Sequence, residues 1–223
     1  MLVEKRNAGY RAAEYVEDGM VVGLGTGSTA KHAIKKIAER IRKERLDIVA
    51  VPTSETTEMK AEDLGIPLTS LDEINKIDIT IDGADEVDPD KNLIKGGGGA
   101  LLREKMVALE TDLEIIVVDP TKVVEVLAVD FDLPVEIVPY WKNATIRRVE
   151  KLGCSSNIRI HQKSIFKTDN HNYIIDCSFG EINNPEKLSQ ELNSIPGVIE
   201  NGLFVDIADK IIIGKKEGFE EVQ

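Results

Sequence analysis

Four short apolar runs, Met20–Leu24, Leu46–Val51, Ile77–Ile81 and Leu113–Val118, recur through the first half of the chain with a helix-like segment between each and the next. Runs of this length with little alternation suit strands buried on both faces. Parallel neighbours require crossovers of a dozen or more residues, which the intervening helices Lys31–Arg42, the stretch through Leu64, and Ala100–Leu109 provide. A further helix precedes the first run, with Val3, Ala8, Ala12, Ala13 and Val16 at helical intervals and Asp18-Gly19 closing it. The alternation predicts an α/β fold with a doubly wound, mostly parallel sheet.

Past about Asp130 the order changes. Pro134–Val138 reads as a strand, Asn143–Leu152 as a helix, Ser156–Ile160 and Tyr173–Phe179 as strands around a polar turn, Pro185–Ile195 as a helix and Leu203–Ile207 as a strand. This β-α-β-β-α-β order predicts a smaller α+β ferredoxin-like domain. Residues 130–205 are therefore expected to form the small domain, and residues 1–129 with 206–223 the larger one. Lys210–Gly214 suits a last strand of the large domain, and the charged tail Lys215–Gln223 is expected to fray.

A net charge of −12 argues against nucleic acid or an anionic membrane as partner. No apolar stretch reaches the ~20 residues of a membrane span, and the polar start Met1-Leu2-Val3-Glu4-Lys5-Arg6 is unlike a secretory signal, so the cytoplasm is expected. Cys154 and Cys177 are too few and isolated for a disulfide framework. His32, His161 and His171 lack ligand spacing, and no metal or other cofactor is expected.

Two stretches concentrate polar chemistry where strands end. The turn Gly23-Leu24-Gly25-Thr26-Gly27-Ser28-Thr29-Ala30 joins a strand to a helix and offers free N–H groups and a positive dipole end to a phosphate. Its GxGxG spacing is neither the dinucleotide GxGxxG nor GxxxxGK[ST], so a monophosphate fits better than NAD or ATP. A capped helix start with glycines for packing is the plain alternative. The second stretch, Asp82 to Lys105, begins Asp-Gly-Ala-Asp-Glu and carries Lys95 followed by Gly96, Gly97, Gly98 and Gly99, then Arg103-Glu104-Lys105. Each glycine in a regular element costs roughly 0.5–1 kcal/mol against alanine, so four in succession indicate a need for bare backbone. Turn-forming acids and a flexible loop are the plain alternative here. Thr53 and Ser54 fit a helix N-cap.

Together, the glycine turn, the Thr53-Ser54-Glu55-Thr56-Thr57 segment, the Asp82–Glu86 box and the Lys95…Arg103-Glu104-Lys105 stretch closely resemble type A ribose-5-phosphate isomerases, with four motifs in the right order and spacing. The resemblance implies an α/β domain bearing a ferredoxin-like lobe, and metal-free interconversion of ribose 5-phosphate and ribulose 5-phosphate. It implies Glu104 as the base moving a proton between C1 and C2, Asp82 as a helper in ring opening, Asp85 as a holder of substrate hydroxyls, and Lys95 facing the carbonyl oxygen. Substrate contacts are implied at Lys5, Thr26, Gly27, Ser28, Thr29, Gly83, Ala84, Gly96, Gly97, Gly98 and Lys122. It also implies a homodimer or a dimer of dimers. The family usually has alanine where this chain has Gly99, a departure that leaves the chemistry untouched, and the small lobe carries no matching motif.

The chemistry agrees with first principles: an enediolate needs a carboxylate to take a carbon-bound proton and a cation to steady the developing oxyanion. A phosphosugar-sensing module of related fold would not need Glu104 and Lys95. A coenzyme A transferase-like enzyme would need a larger nucleotide pocket.

Overall fold

The computed structural model describes residues 1–222. The chain forms two compact units, one made of Met1–Ala84, Arg103–Val123 and the chain from Asp206 onward, the other of Asp85–Leu102 and Val124–Val205.

The first unit holds a six-stranded sheet. From one edge its strands are Val49–Pro52, Val21–Leu24, Ile79–Gly83, Glu114–Val118, Lys210–Gly214 and Phe219–Val222. The first five run parallel, and only the last is antiparallel to its neighbour. Helices Leu2–Ala13 and Ala30–Glu44 cover one face, packing Ala8, Ala12, Ala33, Ile34 and Ile37 against Val22, Leu24, Ile79, Ile81, Ile115 and Val117. Helix Leu101–Leu109 serves the other face, where Val107 meets Val51 and Ile77. Buried at this level, each Ile, Leu or Val contributes about 1.5–3 kcal/mol, which is why strands with no polar face sit at the centre. The expected α/β, doubly wound, mostly parallel architecture is the one observed.

The tail corrects an expectation. Phe219–Val222 does not fray but pairs with Lys210–Gly214 in the register Gly214↔Phe219 to Ile211↔Val222. Charge does not prevent pairing here because Glu221 has built-in partners: Arg11 Nε donates to its Oε1 at 2.6 Å and the Tyr15 hydroxyl to its Oε2 at 2.8 Å. The Arg11 guanidinium also lies over the Phe219 ring, 5.1 Å from its centroid. Gln223 lies outside the described residues.

In the second unit a four-stranded antiparallel sheet runs Val198–Asn201, Leu133–Ile137, Tyr173–Ser178, Ser155–Ile158. Val149 of helix Lys142–Glu150 and Leu192 of helix Pro185–Asn193 pack with Leu133, Val135, Ile137, Ile175 and Cys177. The ferredoxin-like order is present, with its last strand displaced from the expected Leu203–Ile207 to Val198–Asn201. Asn201, fully buried, causes the shift: its Oδ1 accepts the N–H of Leu203 at 3.0 Å and its Nδ2 donates to Asn193 Oδ1 at 2.9 Å, bending the chain out of the sheet. Leu203–Phe204 then joins Leu93–Ile94, which pairs with Glu86–Val87, in a separate three-stranded sheet. The polar turn between Ser155–Ile158 and Tyr173–Ser178 contains its own hairpin, Ile160–His161 with Ser164–Ile165. Gln162 and Lys163 at its tip both have positive φ, as a two-residue type I′ loop requires.

Candidate active site

In the first unit the polar residues gather at the carboxyl ends of the central strands, where open α/β sheets bind ligands. Asp82 is the penultimate residue of strand Ile79–Gly83 and is 1% exposed. Its Oδ1 accepts the backbone N–H groups of Thr26 at 2.9 Å and Gly83 at 2.7 Å, so the glycine turn is tied to the aspartate. The backbone of Gly25 runs so close that a Cβ there would lie 2.1 Å from Asp82 Oδ1. Only glycine can occupy that position beside this acid.

Gly27 and Ser28 are exposed just before helix Ala30–Glu44, whose N-cap is the buried Thr29. Gly27 has φ +128, a conformation side chains rarely adopt. Lys5 on the first helix donates to Ser28 Oγ at 2.8 Å and lies 3.7 Å from Asp119 Oδ2. Asp119 caps the short turn Pro120–Lys122, accepting the N–H of Thr121 at 3.0 Å. Burial pushes its carboxyl up, but the bonds from Thr121 and the charges of Lys5 and Lys122 outweigh this and hold it below the usual carboxylate range. Lys5, Ser28 and Lys122 thus converge around one ionised acid beside a helix N-terminus.

The Thr26 hydroxyl is directed elsewhere, into a cluster with Thr53 Oγ1 at 2.8 Å, Ser54 Oγ at 2.7 Å and Thr57 Oγ1 at 3.1 Å. Ser54 is the N-cap of helix Glu55–Asp63, accepting the N–H of Thr57 at 3.1 Å. Glu104, on helix Leu101–Leu109, is 5% exposed, and Lys105 beside it 7%. A helix-surface carboxylate serving only solubility would be solvated.

Within the second unit, Asp85 holds the glycine run. Its Oδ2 accepts the N–H of Gly97 at 2.7 Å, and a Cβ on Gly97 would stand 2.7 Å from Oδ1. Gly96 and Gly99 have φ +98 and +86, so the run is a shaped turn and not a slack loop. At Gly99 an added methyl would meet the Phe166 ring at 2.4 Å. Lys95 is 2% exposed, its backbone N–H bonded to Gly202 O at 2.9 Å and its ammonium 5.3 Å from the centroid of Phe204. Gly97 and Gly98 are exposed. Two residues that carry no motif, Arg159 and Phe166, lie against this run, and Asp176 pairs with Arg159. Among the described residues no three His, Cys, Asp or Glu side chains form a group able to hold a metal ion, and no helix is long and apolar enough to cross a membrane.

A parallel sheet with a glycine turn, a buried acid and basic side chains at its carboxyl edge defines an α/β protein with a polar cluster where such sheets bind ligands. The family described as ribose 5-phosphate isomerase A (phosphoriboisomerase A) matches residues 49–218. Ribose-5-phosphate isomerase A of Streptococcus gordonii is 50% identical over 98% of this chain and 97% of its own length. The solved ribose 5-phosphate isomerase of Plasmodium falciparum superposes with a TM-score of 0.97 at 39% identity, covering 100% of this chain and 99% of that one. A D-ribose-5-phosphate isomerase solved in complex with phospho-erythronic acid gives a TM-score of 0.96 at 41% identity, covering 99% and 97%. The chain belongs to the ribose 5-phosphate isomerase A family.

Proposed function

We propose that this protein interconverts D-ribose 5-phosphate and D-ribulose 5-phosphate through a cis-enediolate, a step of the non-oxidative branch of the pentose phosphate pathway. The observation that carries the reading, beside family membership, is the burial of Glu104. A carboxylate removed from water at the start of a helix is placed to exchange a proton with carbon, because it is not levelled by solvent.

In this reading Asp82 assists opening of the furanose ring. Glu104 takes the proton from C2 of the open aldose, and the C2–H electron pair forms the enediolate as charge develops on O1. Lys95 steadies that oxygen. Glu104 returns its proton to C1 while the O2 proton passes to O1, leaving the ketose. Asp85 holds substrate hydroxyls, with Gly83, Ala84, Gly96, Gly97 and Gly98 supplying backbone contacts. Lys5, Ser28, Lys122, the turn Gly27–Thr29 and the helix dipole take the phosphate, while Thr26, whose hydroxyl and N–H are engaged within the protein, shapes the turn that holds it.

The sugar phosphate is the partner we assign, together with further copies of this chain; the charge of −12 argues against nucleic acid. We place the enzyme in the cytoplasm, where Cys154 and Cys177 remain free thiols.

Turnover of ribose 5-phosphate by pure protein, with exchange of its C2 proton into deuterated water, tests the reading. Glu104→Gln should bind sugar phosphate yet lose ~10²–10⁴-fold in both rates, the share of a positioned general base. Near-normal exchange in a folded Glu104→Gln protein would move the base to Asp82.

A further inference from the structure

The small lobe holds the glycine run from behind. Arg159 follows strand Ser155–Ile158 and is diagonal to Asp176 across the pairing Asp176↔Asn157, so both side chains leave the same face. The guanidinium and carboxylate form a two-point pair, Nε to Oδ2 at 3.0 Å and Nη2 to Oδ1. The remaining nitrogen, Nη1, donates to Gly96 O at 2.8 Å and to Gly97 O at 3.2 Å. Phe166, bonded through its N–H to Arg159 O at 2.9 Å, sets its ring 5.8 Å from the guanidinium and against Gly99.

Peptide planarity converts these contacts into an orientation. In a trans peptide the C=O and the following N–H point in opposite directions. With the carbonyls of Gly96 and Gly97 drawn to Arg159, the N–H groups of Gly97 and Gly98 must face the other way. The first of them does so, meeting Asp85. Glycine peptides rotate more freely than any others, so an unheld run would sample both orientations.

We propose that Arg159, locked by Asp176 and Phe166, is a positioning residue that fixes the Gly96–Gly98 peptides so that their N–H groups orient Asp85 and face the sugar. This rests on the isomerase reading above for its effect on turnover. The Asp85 carboxylate, an acceptor, and the Gly98 N–H donor then stand ready before substrate arrives. Lysine could not replace the arginine, since one ammonium cannot pair with a carboxylate in a fork and reach two carbonyls at once.

Three measurements test it. Arg159→Ala should lower kcat by about ten- to a hundredfold, the scale of an ångström-sized misplacement, with KM changed far less. Guanidinium at millimolar concentration should restore part of kcat, methylammonium should not, and Arg159→Lys should be as slow as the alanine variant. In the ligand-free protein the amide resonances of Gly97 and Gly98 should move in Arg159→Ala and return with guanidinium. A kcat within twofold of the parent would overturn the proposal, as would a loss that guanidinium leaves untouched with both amides at their parental positions. If Arg159→Ala does not fold, Asp176→Asn keeps the guanidinium but loosens its lock, and the same kcat and amide criteria decide. Absence of turnover by the unaltered protein would instead defeat the isomerase reading, and the amide shifts would still decide the role of Arg159.

Discussion

Thr26 illustrates how residue type and residue direction separate. The turn's hydroxyls are visible in the sequence as donors for a phosphate, yet the Thr26 side chain is spent on Thr53, Ser54 and Thr57, while its backbone N–H serves Asp82. Thr26→Val is close in shape and removes one member of the cluster, leaving the buried hydroxyls of Thr53, Ser54 and Thr57 one partner short. The expected cost is about 1–3 kcal/mol of stability, with KM for ribose 5-phosphate changed by a few-fold at most. Denaturant unfolding and steady-state kinetics on the same preparation check this. A large rise in KM with unchanged stability would return the hydroxyl to the ligand. Directions of this kind are absent from the sequence because a strand–turn–helix motif states where the backbone goes, and the rotamer follows from neighbours such as Thr53 and Thr57, 27 and 31 positions away.

The hairpin Lys210–Gly214 with Phe219–Val222 makes the same point for elements and carries a pH prediction. Burial raises the Glu221 carboxyl, but bonds from Arg11 and Tyr15 and the charges of Arg11 and Lys210 outweigh it, leaving the folded pKa below the ordinary 4.5. A carboxyl lowered on folding stabilises the native state above its unfolded pKa and loses that contribution as pH falls through the folded value. Glu221→Gln should therefore lower stability at pH 7, by about 1 kcal/mol for a charged hydrogen bond partly open to solvent. The gap from the parent should close as melting is followed below pH 4.5; a gap constant across that range would mean the charge is irrelevant to the hairpin. Strands such as Glu114–Val118 were legible because an unbroken apolar run has one sensible location. Phe219–Val222 was not, because its pairing depends on Arg11 and Tyr15, some two hundred residues earlier. The pairs Glu86–Val87, Leu93–Ile94 and Leu203–Phe204 are too short to carry any period. Arg159 likewise stands outside every motif, and its meaning comes from carbonyls 62 and 63 positions back.

For the whole chain, an anionic ligand must be held by a protein with net charge −12, so local cations and dipoles have to outweigh a repulsive average field. In the proposed reading, Lys5, Lys122 and the N-terminus of Ala30–Glu44, gathered around Asp119, form that local exception. A ligand binding only the folded state adds RT ln(1 + [L]/Kd), about 2.7 kcal/mol at a hundredfold excess over Kd. In a chain of 223 residues each kcal/mol raises Tm by roughly 2–4 °C, so saturating ribose 5-phosphate should raise it by about 5–10 °C. Inorganic phosphate, lacking the sugar contacts, should do so less. Exhaustive chelation should leave both the shift and turnover unchanged, since the proposed oxyanion partner is the Lys95 ammonium. Lys5→Ala should lose part of the shift with either ligand. Glu104→Gln should keep it, because a base that acts in the transition state adds little to ground-state affinity. A Glu104→Gln protein that melts like the parent alone but gains nothing from ribose 5-phosphate would make Glu104 a binding group, and the proton transfer would then have to be sought at Asp82.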